Sequence, residues 1–254
     1  MTAPHHPAQL LREDPAALAE VRLWLARASI EARVDYALEN LPHRQVLSSS
    51  FGAQSAVSLH LITSRAPNIP VVLIDTGYLF AETYRFIDAL QQRLHFDLRV
   101  YQAEESPAWF EARHGRLWEQ GLPGIERYNQ LRKVAPFQRA LEELGVATWY
   151  AGLRRDQSQS RRAIEPLELR GGRFKLQPLF DQSNRQLHQY LARHALPYHP
   201  LWDQGYVSIG DHHSTRPLSA DMNEESTRFH GLKRECGLHE EPQNTPRPWL
   251  ATAN

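Results

Sequence analysis

Apolar residues recur at helical spacing through the opening of the chain and then give way to short continuous runs. Leu18, Val21 and Leu25 mark one amphipathic face behind Asp14-Pro15, an N-cap followed by a first-turn proline. Ile30, Val34, Ala37 and Leu41 mark a second face, which Pro42 stops. Beyond it the pattern alternates. Residues 45–49 read as a buried strand, and 54–64 as a helix carrying Val57, Leu61 and Ile62. The β-branched run 70–74 predicts a strand, 80–94 a helix, 96–101 a strand, 136–144 a helix, and 147–151 a strand ending at Gly152. Apolar strands alternating with helices imply a three-layer α/β fold, a mostly parallel sheet covered on both faces.

After Gly152 the pattern is less regular. Residues 154–162 form a basic loop, and Arg170-Gly171-Gly172-Arg173 suits a hairpin turn before a strand over 174–179. Helices are expected at 184–194 and 223–232. The division this implies is a helical segment over 1–43, an α/β domain over 44–200, a flexible C-terminal arm over 201–240 and a loose tail over 241–254, rich in proline.

Composition narrows the partners. Lys+Arg and Asp+Glu both total 29, so no overall field favours nucleic acid or an anionic membrane, and any anion site must be built locally. The start of the chain lacks a cationic stretch followed by a long apolar run, and no segment approaches the ~20 apolar residues of a membrane span. With a single cysteine, a reducing cytoplasm is the expected compartment.

That cysteine, Cys236, lies in Lys233-Arg234-Glu235-Cys236-Gly237-Leu238-His239. Two readings stand side by side. Free cysteines are commonly small buried hydrophobes, but neighbouring cations and an imidazole raise the thiolate fraction and make a nucleophile. One thiol supports neither an internal disulfide nor the usual four-thiolate iron–sulfur cluster. Histidines 212, 213, 230 and 239 lack coherent ligand spacing, so no metal is expected.

Three further constellations sit at predicted strand ends, where open α/β sheets bind ligands. Ser48-Ser49-Ser50-Phe51-Gly52 precedes a helix and suits either a phosphate cradle or an ordinary capped turn; it lacks the lysine and spacing of a P-loop. Asp75-Thr76-Gly77 suits a shared ligand crevice or a plain turn. The loop from Gly152 carries four arginines within nine residues, including Arg154 and Arg155, and guanidinium forks match phosphate and sulfate oxygens.

Taken in order, Ser48-Ser49-Ser50-Phe51-Gly52, Asp75-Thr76-Gly77-Tyr78-Leu79-Phe80, Gly152-Leu153-Arg154-Arg155, the run Tyr198 to Tyr206, and Lys233 to His239 resemble the phosphoadenosine phosphosulfate (PAPS) reductases of assimilatory sulfate reduction. The likeness spans roughly Ser48 to His239. It implies an adenine-nucleotide α-hydrolase-like fold, with 44–200 as the nucleotide-binding domain, and reduction of PAPS to sulfite and adenosine 3′,5′-bisphosphate. It also implies thioredoxin or glutaredoxin as external electron donor, no bound cofactor, and a homodimer. Carried onto this sequence, it makes Cys236 the nucleophile that forms an S-sulfocysteine. Ser48, Ser49, Ser50, Phe51, Gly52, Asp75, Thr76 and Gly77 become the nucleotide cradle. Lys133, Arg154, Arg155, Arg216, Arg234 and His239 become the phosphate and sulfate contacts, and Tyr206 orders the arm or assists near the sulfur. The chain lacks the paired cysteines that hold the cluster of related adenosine phosphosulfate (APS) reductases. It also lacks the acid of the Ser-Gly-Gly-x-Asp-Ser loop in ATP-pyrophosphatase relatives. The rivals that remain are a cluster-free APS reductase and a sulfonucleotide-binding protein without catalysis.

Overall fold

A computed structural model describes residues 2–233 and 237–238. Three N-terminal helices, α1 (Ala8–Glu13), α2 (Pro15–Arg27) and α3 (Ile30–Asn40), lead into the sheet. The expected cap of α2 is present, since Asp14 accepts a hydrogen bond from the Ala16 amide at 2.8 Å. The α/β core follows as β1 (Gln45–Ser48), α4 (Ser55–Thr63), β2 (Pro70–Ile74), α5 (Ala81–Leu94) and β3 (Asp97–Tyr101). Next come α6 (Pro107–His114), α7 (Gly121–Asn129), α8 (Ala135–Glu143), β4 (Thr148–Ala151), the hairpin β5 (Leu167–Arg170) and β6 (Arg173–Leu176), and α9 (Asn184–Arg193).

Strand order is β3-β2-β1-β4-β6-β5, parallel throughout except for the β5–β6 pair. Side chains alternate between two cores, as the strand period of two requires. Leu47, Val71, Leu73 and Tyr150 face the layer containing α2, α3, α4, α5 and α9, whereas Val46, Val72, Trp149 and Ala151 face α8. The N-terminal helices share that first core rather than forming one of their own. Buried Arg33 locks them in place by donating to Leu25 O and Pro178 O and by gripping both Asp181 oxygens at 2.7 and 2.6 Å.

The chain leaves β1 toward β2 on one side and reaches β4 on the other. That makes the gap between the carboxyl ends of β1 and β4 the topological switch point. Two expectations need correction. Residues 223–232 are not one helix but two short 3₁₀ turns, Glu224–Thr227 and Phe229–Gly231. Positive φ at Phe229 (44°) and Gly231 (83°) breaks any continuous helix there. The stretch between β3 and β4 carries more helix than its apolar spacing indicated. There α7 runs into α8 through a π-helical turn, Gln130–Val134. Among the described residues, no helix is long and apolar enough to cross a membrane.

Candidate active site

A cavity of about 260 Å³ lies at the switch point, lined by the turns after β1, β2 and β4, by the π-helical turn, and by the C-terminal segment. The turn after β1 supplies Ser48, Ser49, Ser50, Gly52 and Gln54. Its shape comes from Ser49, whose hydroxyl accepts from the Phe51 amide at 3.1 Å, and from Phe51, held at φ 49°. Phe51 itself turns away into the core, fully buried against Phe96. The turn delivers the chain into the N-terminus of α4, where the Ser55 hydroxyl is buried without a hydrogen-bond partner. A nine-residue helix N-terminus beside an unpaired hydroxyl is suited to an anion.

The turn after β2 contributes Thr76. Its neighbours Asp75 and Gly77 do not line the cavity. Asp75 accepts from the Gly77 amide (2.8 Å), Tyr84 hydroxyl (2.7 Å) and Gln102 amide (2.6 Å), so the carboxylate braces the turn from behind. Gly77 adopts φ 76°, and a Cβ there would meet Pro107 at 2.6 Å.

The basic loop divides its labour. Arg154 and Arg161 line the cavity. Arg154 is buried and donates to Gln182 O (2.9 Å), Gln54 Oε1 (3.0 Å) and Asn184 Oδ1 (2.8 Å), tying the turns after β1 and β4 together. Arg155 points elsewhere, donating to Ile164 O at 2.8 Å over the Phe180 ring. Arg216 likewise spends its Nε on Ser226 O at 3.1 Å, and Tyr206 packs edge-on against Phe80 beside the cavity. Backbone carbonyls nine and ten residues further along claim Arg155 and Arg216, which is why a local charge count cannot sort cavity cations from bracing ones.

Lys133 is buried. The π-helical turn inserts an extra residue per turn, a device found at functional sites. Both Arg132 and Lys133 are thereby buried. Arg132 donates to the Thr76 and Glu105 carbonyls, while Lys133 reaches the cavity wall and pairs with Asp211 at 2.6 Å. Burial would raise the Asp211 pKa, but Lys133 and the surrounding donors overcome it and hold the carboxyl well below its ordinary range.

Asp211, Arg228 and Leu238 also line the cavity, and none of them is assigned a ligand role from the sequence, although Leu238 falls inside the Lys233–His239 motif. Arg228 sits directly over the bare Cα of Gly210. Leu238, two positions after Cys236, lines the cavity and packs on the core facing α8. Arg234, Cys236 and His239 lie outside the described residues. Among the described residues, no group of three or more His, Asp, Glu or Cys side chains is placed to hold a metal ion.

Comparison with known proteins is consistent across sequence and fold. Residues 44–217 match the phosphoadenosine phosphosulfate reductase domain model. The chain is 58% identical over 237 residues to the phosphoadenosine 5′-phosphosulfate reductase of Cronobacter sakazakii, covering 92% of this chain and 97% of that one. It is 61% identical over 228 residues to that of Erwinia tasmaniensis, covering 90% and 94%. The crystal structure of phosphoadenylyl-sulfate reductase from Candida auris, a phosphate complex, superposes with a TM-score of 0.70 at 30% identity, covering 80% of this chain and 98% of that chain. FMN adenylyltransferase from Candida glabrata shares the fold alone, at TM-score 0.56 and 15% identity over 81% of this chain and 74% of that one. On this likeness over most of its length, the chain belongs to the phosphoadenosine phosphosulfate reductase family.

Proposed function

We infer that this protein reduces 3′-phosphoadenylyl sulfate to sulfite and adenosine 3′,5′-bisphosphate in sulfate assimilation, using Cys236 as nucleophile and a dithiol protein such as thioredoxin or glutaredoxin as reductant. One observation carries the reading. On a chain of zero net charge, Lys133, Arg154, Arg161 and Arg228 converge from distant segments on one cavity, opposite a serine-rich turn and a helix N-terminus. That donor set suits a ligand with several anionic groups.

The chemistry follows from the substrate. Its sulfuryl sulfur is electrophilic and bonded to a phosphate oxygen, a good leaving group. The Cys236 thiolate attacks the sulfur, the S–O bond to phosphate breaks, and an enzyme S-sulfocysteine forms as the bisphosphate departs. Cations at the cavity wall offset the charge growing on the leaving phosphate and the repulsion between thiolate and substrate. A thiolate of the partner then attacks the Cys236 sulfur and expels sulfite, leaving a mixed disulfide. The partner's second thiol resolves it, so the partner is oxidised by two electrons and Cys236 returns as a thiol. The single cysteine makes an external reductant obligatory, as a reducing cytoplasm provides.

Leu238 at the cavity supports this role for Cys236. Leu238 stands two positions after Cys236 in the sequence and lines the cavity where the donors meet. Ser48, Ser49, Ser50, Gly52 and Thr76 are the proposed cradle. Phe51, Asp75, Gly77, Arg155 and Arg216 are proposed to shape it from behind, and Arg234 and His239 to flank the sulfuryl group. The test is intact-protein mass spectrometry after mixing with substrate and no reductant. One SO₃ group on the Cys236 peptide, absent in Cys236→Ser, is the expected result. An unmodified protein refutes the mechanism, and faster sulfite release from APS refutes the substrate assignment.

A further inference from the structure

Asp211 is the buried member of three carboxylates, with the exposed Asp156 and Glu224, in the wall of a cavity that also gathers Lys133, Arg154, Arg161 and Arg228. A buried carboxylate there repels the ligand unless a nearby cation needs it. Its surroundings show how completely it is used. Asp211 is 1% exposed and takes three donors from three elements: Thr76 Oγ1 at 2.5 Å from the turn after β2, Tyr128 Oη at 3.0 Å from α7, and Lys133 Nζ at 2.6 Å from the π-helical turn. Its backbone is held as firmly. Asp211 forms an antiparallel bridge to Leu79, and the next amide, His212, donates to Tyr78 O at 2.9 Å.

The Lys133 ammonium is correspondingly confined. Besides Asp211 it faces the rings of Tyr128 and Phe229, each at 5.3 Å. With a carboxylate and two aromatic rings around it, the ammonium is fixed at the cavity wall rather than free to swing on its four-carbon stem. We propose that Asp211 is a positioning residue for the reaction. Its carboxylate, itself oriented by Thr76 and Tyr128, holds the Lys133 ammonium where an anionic group of the substrate binds. The same residue clamps the segment leading toward Cys236 onto the end of β2. This proposal rests on the nucleotide reading above. A purely structural joint would need the same contacts but would not couple to ligand affinity.

The two are separated by a double-mutant cycle, read as the dissociation constant for adenosine 3′,5′-bisphosphate by calorimetry on the full chain. In the presence of Lys133, Asp211→Asn should weaken binding roughly tenfold, the scale of one misplaced charged hydrogen bond. In a Lys133→Met background the same change should alter affinity by less than about twofold, because no ammonium remains to be held. Tyr128→Phe provides the cycle if Asp211→Asn fails to fold. It removes one restraint on the carboxylate without changing any charge, and should cost a few-fold in affinity only when Lys133 is present. Equal losses in both backgrounds overturn the positioning role while leaving the functional reading intact. A wild-type protein that does not bind the bisphosphate overturns the functional reading and this inference with it.

Discussion

Gly210 offers a way to move one cavity cation without touching it chemically. A Cβ built on Gly210 would lie 2.3 and 2.4 Å from the two terminal nitrogens of Arg228 and 2.6 Å from its Cζ. Ordinary contact begins at 3.4 Å, so in Gly210→Ala the guanidinium must retreat by about 1 Å. It is the far end of a long side chain, and the backbone can stay where it is. A hydrogen bond displaced by that much loses its geometry. If Arg228 grips an anionic group of the nucleotide, the loss is about 1.5–3 kcal/mol, the value of a hydrogen bond to a charged group. That corresponds to roughly 10- to 150-fold weaker binding.

Calorimetric titration with adenosine 3′,5′-bisphosphate measures the effect, with near-ultraviolet circular dichroism confirming the fold. In an Arg228→Met background, Gly210→Ala should add less than about twofold, since the group it displaces is gone. An affinity for Gly210→Ala within about twofold of wild type would refute the assignment of Arg228 to the ligand.

Two other outcomes follow from named contacts. Gly77 and Gly172 have nearly the same backbone conformation, φ 76° and 74°, but a Cβ on Gly77 meets Pro107 at 2.6 Å whereas one on Gly172 meets nothing within 4 Å. Gly172→Ala should therefore cost about 1–2 kcal/mol for the left-handed backbone alone. Gly77→Ala should cost about 2–5 kcal/mol once ~1–3 kcal/mol of overpacking is added, and equal urea midpoints for the two variants would disprove this account. His199 accepts from the Leu201 amide at 3.1 Å and so donates through Nε2 to Thr83 Oγ1 at 2.9 Å; burial lowers its pKa from 6.5 to about 4, only partly offset by Glu82. Between those values the unfolded chain binds a proton that the folded one refuses, so stability falls as pH drops through this window. His199→Gln should flatten that part of the acid limb in urea melts, and an unchanged slope between pH about 6.5 and 4 would count against it.

The acid limb has further contributors that the same sign rule separates. Burial also keeps His213 neutral, with its pKa lowered to about 3, so it too loses stability as pH falls from 6.5. Asp211, held well below the usual carboxylate range, keeps its full contribution above the ordinary value of 3.8 and loses it progressively below that, as the unfolded chain takes a proton that the folded one refuses. His199→Gln therefore removes a part of the limb rather than all of it.

How much of this protein can be read from its residues depends on the range of the interactions concerned. Alternation of strand and helix was legible because it is local: a buried parallel strand must be a short apolar run, and a covering helix must repeat at helical spacing. The strands and helices that the apolar pattern predicts in the α/β core accordingly appear within a residue or two of their expected bounds, apart from the shorter β6, whereas α6, α7 and β5 had no such pattern. The serine-rich turn and Thr76 could be nominated for the site because strand ends in such a fold open onto the ligand crevice. The 3₁₀ turns of the C-terminal segment are not distinguishable from a helix in the sequence, because their breaking feature, a positive φ at Phe229, is set by packing and not by residue type.

Placement of the charged side chains obeyed no local rule. Arg154 and Arg155 are adjacent in sequence, yet one lines the cavity and the other serves the Ile164 carbonyl. The π-helical turn carries Lys133 inward, where Asp211, distant in sequence, makes its burial tolerable. Arg228 reaches the cavity only because Gly210 offers no Cβ. Local patterning determined the layers, the strand ends and the presence of a solitary thiol. Which cations meet at those strand ends was decided by long-range acceptors and steric gaps, which exist only once the chain is folded.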